Sequence, residues 1–198
     1  MVTKLILIRH GETLWNAQKR YCGSTDIGLS AKGRKQARSL RKRLSGMDIH
    51  KIYASGRKRA VQTAEIVFKG AKIDNMPDLK EMHFGIFEGL TYREIMKKYP
   101  KIYSAWLEKP LCVTIPESES LASFRKRVTR ALKKIISVNK NKTIAVVCHG
   151  GAISAFITAV SKTNDFWKNI PRSASVSIVE HNKGCLKIKK LNDITHLN

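Results

Sequence analysis

Acidic residues are scarce in this chain. Fifteen Asp and Glu stand against 38 Lys and Arg, a formal net charge of +23 over 198 residues. So cationic a molecule is a poor partner for other cations and draws in anions such as phosphorylated metabolites, nucleic acid or acidic lipid. Cysteine is sparse as well. Cys22, Cys112, Cys148 and Cys185 include no C-x-x-C pair, which argues against a zinc ribbon or a dithiol redox motif. No apolar run approaches the ~18 residues of a membrane span, so no membrane association is expected. The apolar segment near the N-terminus is only about four residues long, too short for a secretory signal. Together these absences predict a reduced, cytoplasmic protein. Internal repeats and low-complexity linkers are also missing. At this length a chain buries roughly 70% of its unfolded surface and needs no disulfide or metal to fold.

Three short apolar runs read as buried parallel strands: Lys4–Ile8, Ile49–Ala54 and Thr143–Cys148. Each gives way to polar or glycine punctuation and then to a helical pattern. Ser30 caps a helix over Ala31–Leu44, with Ala37, Leu40 and Leu44 on one face. Arg59–Phe68 places Ala60, Ala64 and Val67 together. Thr91-Tyr92-Arg93-Glu94 is a capping box that opens a helix to about Tyr99. Leu121–Val138 repeats Leu121, Phe124, Val128, Leu132 and Ile135 at helical spacing, and Ala152–Val160 follows the third strand. Ser175–Glu180 and Cys185–Leu191 flank Asn182-Lys183-Gly184 as a terminal hairpin. The alternation predicts an α/β fold: three layers, a mostly parallel central sheet of about six strands, helices on both faces. The whole chain, 1–198, reads as a single domain. Residues 75–118 hold four of the five prolines, fit the alternation least, and are read as a lid inserted over the sheet.

Polar residues cluster where strands end, which is where open α/β sheets bind ligands. Arg9-His10-Gly11 closes the first strand, and is either an active site or surface punctuation. His149-Gly150-Gly151 closes another, and its glycines would let backbone N–H groups meet an anion at a helix N-terminus; the alternative is a histidine in a tight turn. Ser55-Gly56-Arg57-Lys58-Arg59 brings arginine into the first helical turn, where a guanidinium can hold two phosphate oxygens, provided that one of these three cations points inward. Glu81-Met82-His83-Phe84-Gly85 sets an acid among aromatics. If buried, its carboxyl pKa rises, as a general acid requires; otherwise it is an exposed loop glutamate.

In order along the chain, these segments resemble the histidine phosphatase superfamily, in its phosphoglycerate mutase-like branch. The likeness is carried by Leu7-Ile8-Arg9-His10-Gly11-Glu12-Thr13-Leu14-Trp15-Asn16, by Gly23, Leu29-Ser30-Ala31-Lys32-Gly33 and Gln36-Ala37, and by Ser55 with Arg59-Ala60-Val61-Gln62-Thr63-Ala64. Glu81, Phe84-Gly85, Glu88-Gly89-Leu90, Glu119-Ser120, Arg127 and His149-Gly150 complete it. The resemblance implies a nucleophile at His10, phosphate-holding groups at Arg9, Arg59 and His149, and a general acid at Glu81. It also implies substrate contacts from Asn16, the Cys22–Gly23 backbone and Gly150. No metal or other cofactor is implied. Departures occur at Glu117-Ser118, where Gly-Gly is usual, at Gly28 in place of a proline, and at Gly56-Arg57. They bear on lid geometry and substrate choice.

The reaction expected from this resemblance is hydrolysis of small phosphorylated metabolites, as in the family's α-ribazole and broad-specificity phosphatases. A mutase would need a longer enclosing insertion after the acid motif, with a pair of arginines that is absent here. His83 is the one further histidine close enough to Glu81 to meet substrate, and Cys148 reads as a packed thiol. The helix holding Arg34, Lys35, Arg38, Arg41, Lys42 and Arg43 could track a nucleic-acid backbone with strong salt dependence. Intact catalytic motifs make nucleic acid the lesser expectation. The oligomeric state stays open, a homodimer among the options.

Overall fold

A computed structural model describes residues 2–163 and 166–197. Six strands form one sheet in the order β3-β2-β4-β1-β5-β6. They are β1 (Thr3–Arg9), β2 (Lys51–Ala54), β3 (Asp74–Asn75), β4 (Thr143–Cys148), β5 (Val176–Asn182) and β6 (Cys185–Asp193). β1 runs parallel to β4, as β2 does to β4 and β3, while β5 and β6 add an antiparallel edge. The expected mostly parallel, three-layer α/β architecture is the one observed.

Strand side chains alternate between two cores, because successive residues point to opposite faces. Leu5 and Leu7 of β1 join Ile144, Val146 and Cys148 of β4 on one face. Ile6 and Ile8 join Ala145 and Val147 on the other. The first core is covered by α6 (Leu121–Val138) and α7 (Gly150–Ser161), the second by α2 (Ala31–Leu44) and α3 (Lys58–Val67). Burial on both faces is why β1 and β4 read as continuous apolar runs. Ser30 accepts from the Gly33 amide at 3.0 Å and starts α2, as its N-cap position predicts. The β5–β6 turn places Lys183 and Gly184 at φ 47° and 78°, the positive-φ pair of a tight hairpin.

Residues 75–118 contain more helix than the sequence reading allowed. After two 3₁₀ turns, Pro77–Leu79 and Gly85–Phe87, the chain forms α4 (Tyr92–Lys98) and α5 (Pro100–Glu108). The Thr91–Glu94 capping box opens α4 as expected. Pro100 does not break structure but starts α5 at its first position, where the missing N–H costs nothing. Trp106 of α5 is fully buried and meets Tyr21, Phe84, Phe87, Tyr103 and Trp167 edge-on or tilted. A short α1 (Leu14–Ala17) also went unpredicted.

Candidate active site

The carboxyl ends of β1, β2 and β4 converge, and each delivers one part of a polar cluster. His10 follows β1 and is 3% exposed. Its Nδ1 lies 2.7 Å from the carbonyl oxygen of Gly11. A carbonyl only accepts, so Nδ1 carries the proton and the lone pair resides on Nε2. Burial, then Arg59 and Arg9, hold the imidazole pKa well below its ordinary 6.5, so the ring stays neutral at physiological pH. Burial is the largest cause; the arginines emphasised from sequence come second.

His149 follows β4 and is fully buried, with its ring centroid 5.2 Å from that of His10. Arg59 Nε donates to His149 Nδ1 at 3.3 Å, which makes Nε2 the donor to Ser55 Oγ at 2.7 Å. Arg59 is 1% exposed and is the inward-pointing cation of the Arg57–Arg59 trio. Its remaining donors reach the carbonyls of Gly23 at 2.8 Å and Thr25 at 2.9 Å, so it also ties down the loop following α1. Arg9 donates to Pro171 O at 2.6 Å, while its buried Nε has no partner among the described residues. A buried guanidinium N–H without a protein partner can donate to an anionic oxygen in the cavity that Arg9 and His10 both line.

Glu81 approaches from the loop after the first 3₁₀ turn. Its carboxylate accepts from the amides of Gly151 at 2.9 Å and Met82 at 3.0 Å. Burial pushes its pKa up, against the pull of those two amides and of Arg59 and Arg9. Glycine at 150 and 151 lets Arg9 and Glu81 approach the backbone closely. A Cβ on Gly150 would stand 3.2 Å from the guanidinium carbon of Arg9, and one on Gly151 would stand 2.4 Å from Glu81 Oε1.

A cavity of about 290 Å³ opens over this cluster. Arg9, His10, Asn16, Cys22, Glu81 and Gly150 line it. Arg59, His149 and Gly23 are not among its lining residues. The carbonyl oxygen of Asn16 caps α1 by accepting from Thr13 N and Oγ1 at 3.1 and 3.0 Å, which leaves its amide N–H groups for a ligand. Burial lifts the Cys22 thiol to about 11 and the Cys148 thiol to about 12, so neither is a nucleophile at neutral pH. His83 does not line the cavity; its ring accepts from the Gly85 amide.

Several contributors had no assigned role in the sequence reading. Phe166, Trp167 and Ile170 form an apolar wall, and Lys19, Arg20 and Tyr21 form a more polar one. Glu88 accepts from the amides of Gly23 and Ser24 at 2.9 and 2.8 Å and from Thr25 Oγ1 at 3.0 Å, shaping the loop that Arg59 also grips. Arg127 pairs with Glu119 through two nitrogens and donates to the carbonyls of Asp78, Lys80 and Glu81 at 2.9, 2.8 and 3.2 Å. It thereby fixes the backbone that carries the acid. Both Glu88 and Arg127 stood among the family-like residues, which was their only signal. Among the described residues, no three His, Cys, Asp or Glu side chains are grouped to hold a metal ion, and no helix is long and apolar enough to cross a membrane.

The family profile described as histidine phosphatase superfamily, branch 1, matches residues 5–194. The chain belongs to this superfamily. It is 34% identical over 200 residues to phosphoserine phosphatase 1 of Hydrogenobacter thermophilus, spanning 99% of this chain and 95% of that one. A probable phosphoglycerate mutase of Erwinia tasmaniensis is 28% identical over 203 residues, with 98% and 94% covered. The crystal structure of a phosphoserine phosphatase mutant of Entamoeba histolytica, solved with phosphoserine, superposes with a TM-score of 0.90 at 29% identity, covering 99% and 100% of the two chains. This histidine phosphatase is accordingly an enzyme of the phosphatase class, with mutases among its relatives.

Proposed function

We propose that the chain hydrolyses small phosphomonoesters in two steps through a phosphohistidine on His10, without a metal ion. The observation that carries this reading is the Nδ1–H of His10 held by Gly11 O, which leaves Nε2 as a neutral nucleophile beside two guanidiniums. In the first step Nε2 attacks phosphorus, the P–O bond to the leaving group breaks, and Glu81 delivers its proton to the departing oxygen. Arg9 and Arg59 balance charge on the equatorial oxygens, the main task in phosphoryl transfer, and His149 holds Arg59 in place through Nδ1. In the second step the Glu81 carboxylate takes a proton from water, whose oxygen attacks the phosphohistidine. Inorganic phosphate leaves, and His10 and the protonated Glu81 are restored.

The cavity of about 290 Å³ suits a small ester, and residues 75–118 serve as its lid together with the Phe166–Ile170 wall. Phosphoserine is the first substrate to test. The names of relatives suggest it, and Lys19 on the cavity wall offers a cation for a carboxylate, next to Arg20, which is paired with Glu94. Four free thiols fit a reducing cytoplasmic setting. The mutase reading is the second one, favoured by relatives of that name.

The test is phosphate release from phosphoserine, 3-phosphoglycerate and p-nitrophenyl phosphate in excess EDTA, with isomeric phosphoglycerate assayed in parallel. Expected are chelator-resistant hydrolysis, acid-labile labelling of the enzyme by substrate phosphate, and loss of that label in His10→Ala. Activity abolished by EDTA, or label retained in the variant, would overturn the mechanism. Transfer outpacing phosphate release would make the enzyme a mutase.

A further inference from the structure

α2 presents a cationic strip that the phosphatase site does not use. Arg34, Lys35, Arg38, Arg41 and Lys42 are all exposed. At 3.6 residues per turn they fall within an arc of about 120°, turned away from the buried positions Gly33, Ala37, Leu40 and Leu44. Over Arg34–Lys42 the strip runs about 12 Å along the helix axis. Nearby acids are already engaged or off the strip. Glu12 pairs with Lys32, Asp193 with Arg43 and Lys190, and Asp48 lies beyond the helix end beside His50. None of the five strip cations has an acid within ion-pair distance among the described residues.

Such a row costs stability. Like charges at i, i+4, as at Arg34 and Arg38 and at Arg38 and Lys42, repel one another on a helix. An external polyanion would relieve the repulsion. The strip is rich in arginine, the side chain best matched to phosphate diesters, and the whole chain carries +23. α2 has no large exposed apolar side chain, so the insertion expected of a helix lying in a lipid interface has nothing to make it. An exposed aromatic platform is missing too, which excludes base stacking on this face.

We propose that this face of α2 binds the sugar–phosphate backbone of nucleic acid without sequence preference. Binding is electrostatic, reversible and separate from the catalytic cavity, since none of the five strip residues lines that cavity. The face acts to hold the enzyme on a polyanion while its pocket remains open to small esters.

The test is fluorescence anisotropy of a labelled oligouridylate titrated with the intact enzyme across a salt series. Five neutralised phosphates on a single strand predict a log–log salt slope of about −3.5. Arg34→Gln/Arg38→Gln/Arg41→Gln should flatten the slope to about −1.4 and weaken low-salt binding by more than roughly tenfold, with hydrolysis of p-nitrophenyl phosphate unchanged. Unchanged hydrolysis also certifies that the variant folds. Absence of oligouridylate binding by the parent enzyme at low salt would overturn the proposal. So would equal binding by the triple variant, displacement by vanadate at levels that fill the pocket, or binding to phosphatidylserine vesicles in preference to the oligonucleotide.

Discussion

At Gly151 a single methyl group would stand 2.4 Å from the carboxylate of Glu81. In most helices Gly→Ala is stabilising by roughly 0.5–1 kcal/mol. Here Gly151→Ala is expected to leave thermal stability nearly intact while lowering kcat/KM by about 10²-fold, because the acid is displaced from its line to the leaving oxygen. Steady-state kinetics beside a melting curve separates the two effects; equal activity would mean that Glu81 moves aside freely. Glu81 itself is expected to set the alkaline limb of the kcat/KM profile. Its raised pKa keeps the carboxyl protonated above the ordinary 4.5, and catalysis falls as pH rises through that raised value. Glu81→Gln should flatten this limb and slow esters of basic alcohols by 10²–10⁴-fold. p-Nitrophenyl phosphate, whose leaving group needs little protonation, should suffer far less. A limb that persists in the variant would assign it to another group.

Among elements, the loop that bears Glu81 has little regular structure of its own and depends on α6. Arg127 reaches from that helix to the carbonyls of Asp78, Lys80 and Glu81 and to Glu119, which in turn accepts from the His83 amide. Arg127→Lys cannot reproduce a planar fork with five donors. It is expected to lower kcat by about tenfold or more with KM little changed, and to shift the alkaline limb set by Glu81. A purely structural role would lower stability without moving that limb. How much of this was legible beforehand follows from the physics of each part. β1 and β4 were readable because burial on both faces demands unbroken apolar runs. α2 and α6 were readable to the residue because a serine cap and a 3.6-residue stripe mark their limits. α5 was hidden by Pro100, since a proline that starts a helix and one that ends it look alike without the neighbouring fold. The convergence of His10, Arg59, Glu81 and His149 was legible only through family resemblance, as each motif alone had an ordinary alternative. The Phe166–Ile170 wall carries no periodicity, and only tertiary packing against Trp106 places it.

For the molecule as a whole, acidity should be the weak side of stability. His10 and His149 have folded pKa values well below 6.5, so the unfolded chain binds their protons more readily than the folded one. Their contribution is complete above about pH 6.5 and is lost as pH falls below that value. Glu81, shifted upward, has the opposite sign: its contribution is complete below 4.5 and declines as pH rises through its folded pKa. Burial also lowers the His196 pKa, so with three imidazoles against one carboxyl, urea midpoints are expected to fall between pH 6.5 and 5, and His149→Asn should blunt the fall; a midpoint that rises over this interval would refute the assignment. One further consequence lies in the sheet order. β1, which carries His10, is flanked by β4 and β5, and those neighbours are drawn from residues 143–148 and 176–182. His10 is synthesised more than a hundred residues before the two strands that flank its own. A nascent chain is therefore expected to stay catalytically silent until residue 182 has been made, and a truncation that removes β5 takes away one of the two walls against which β1 is held.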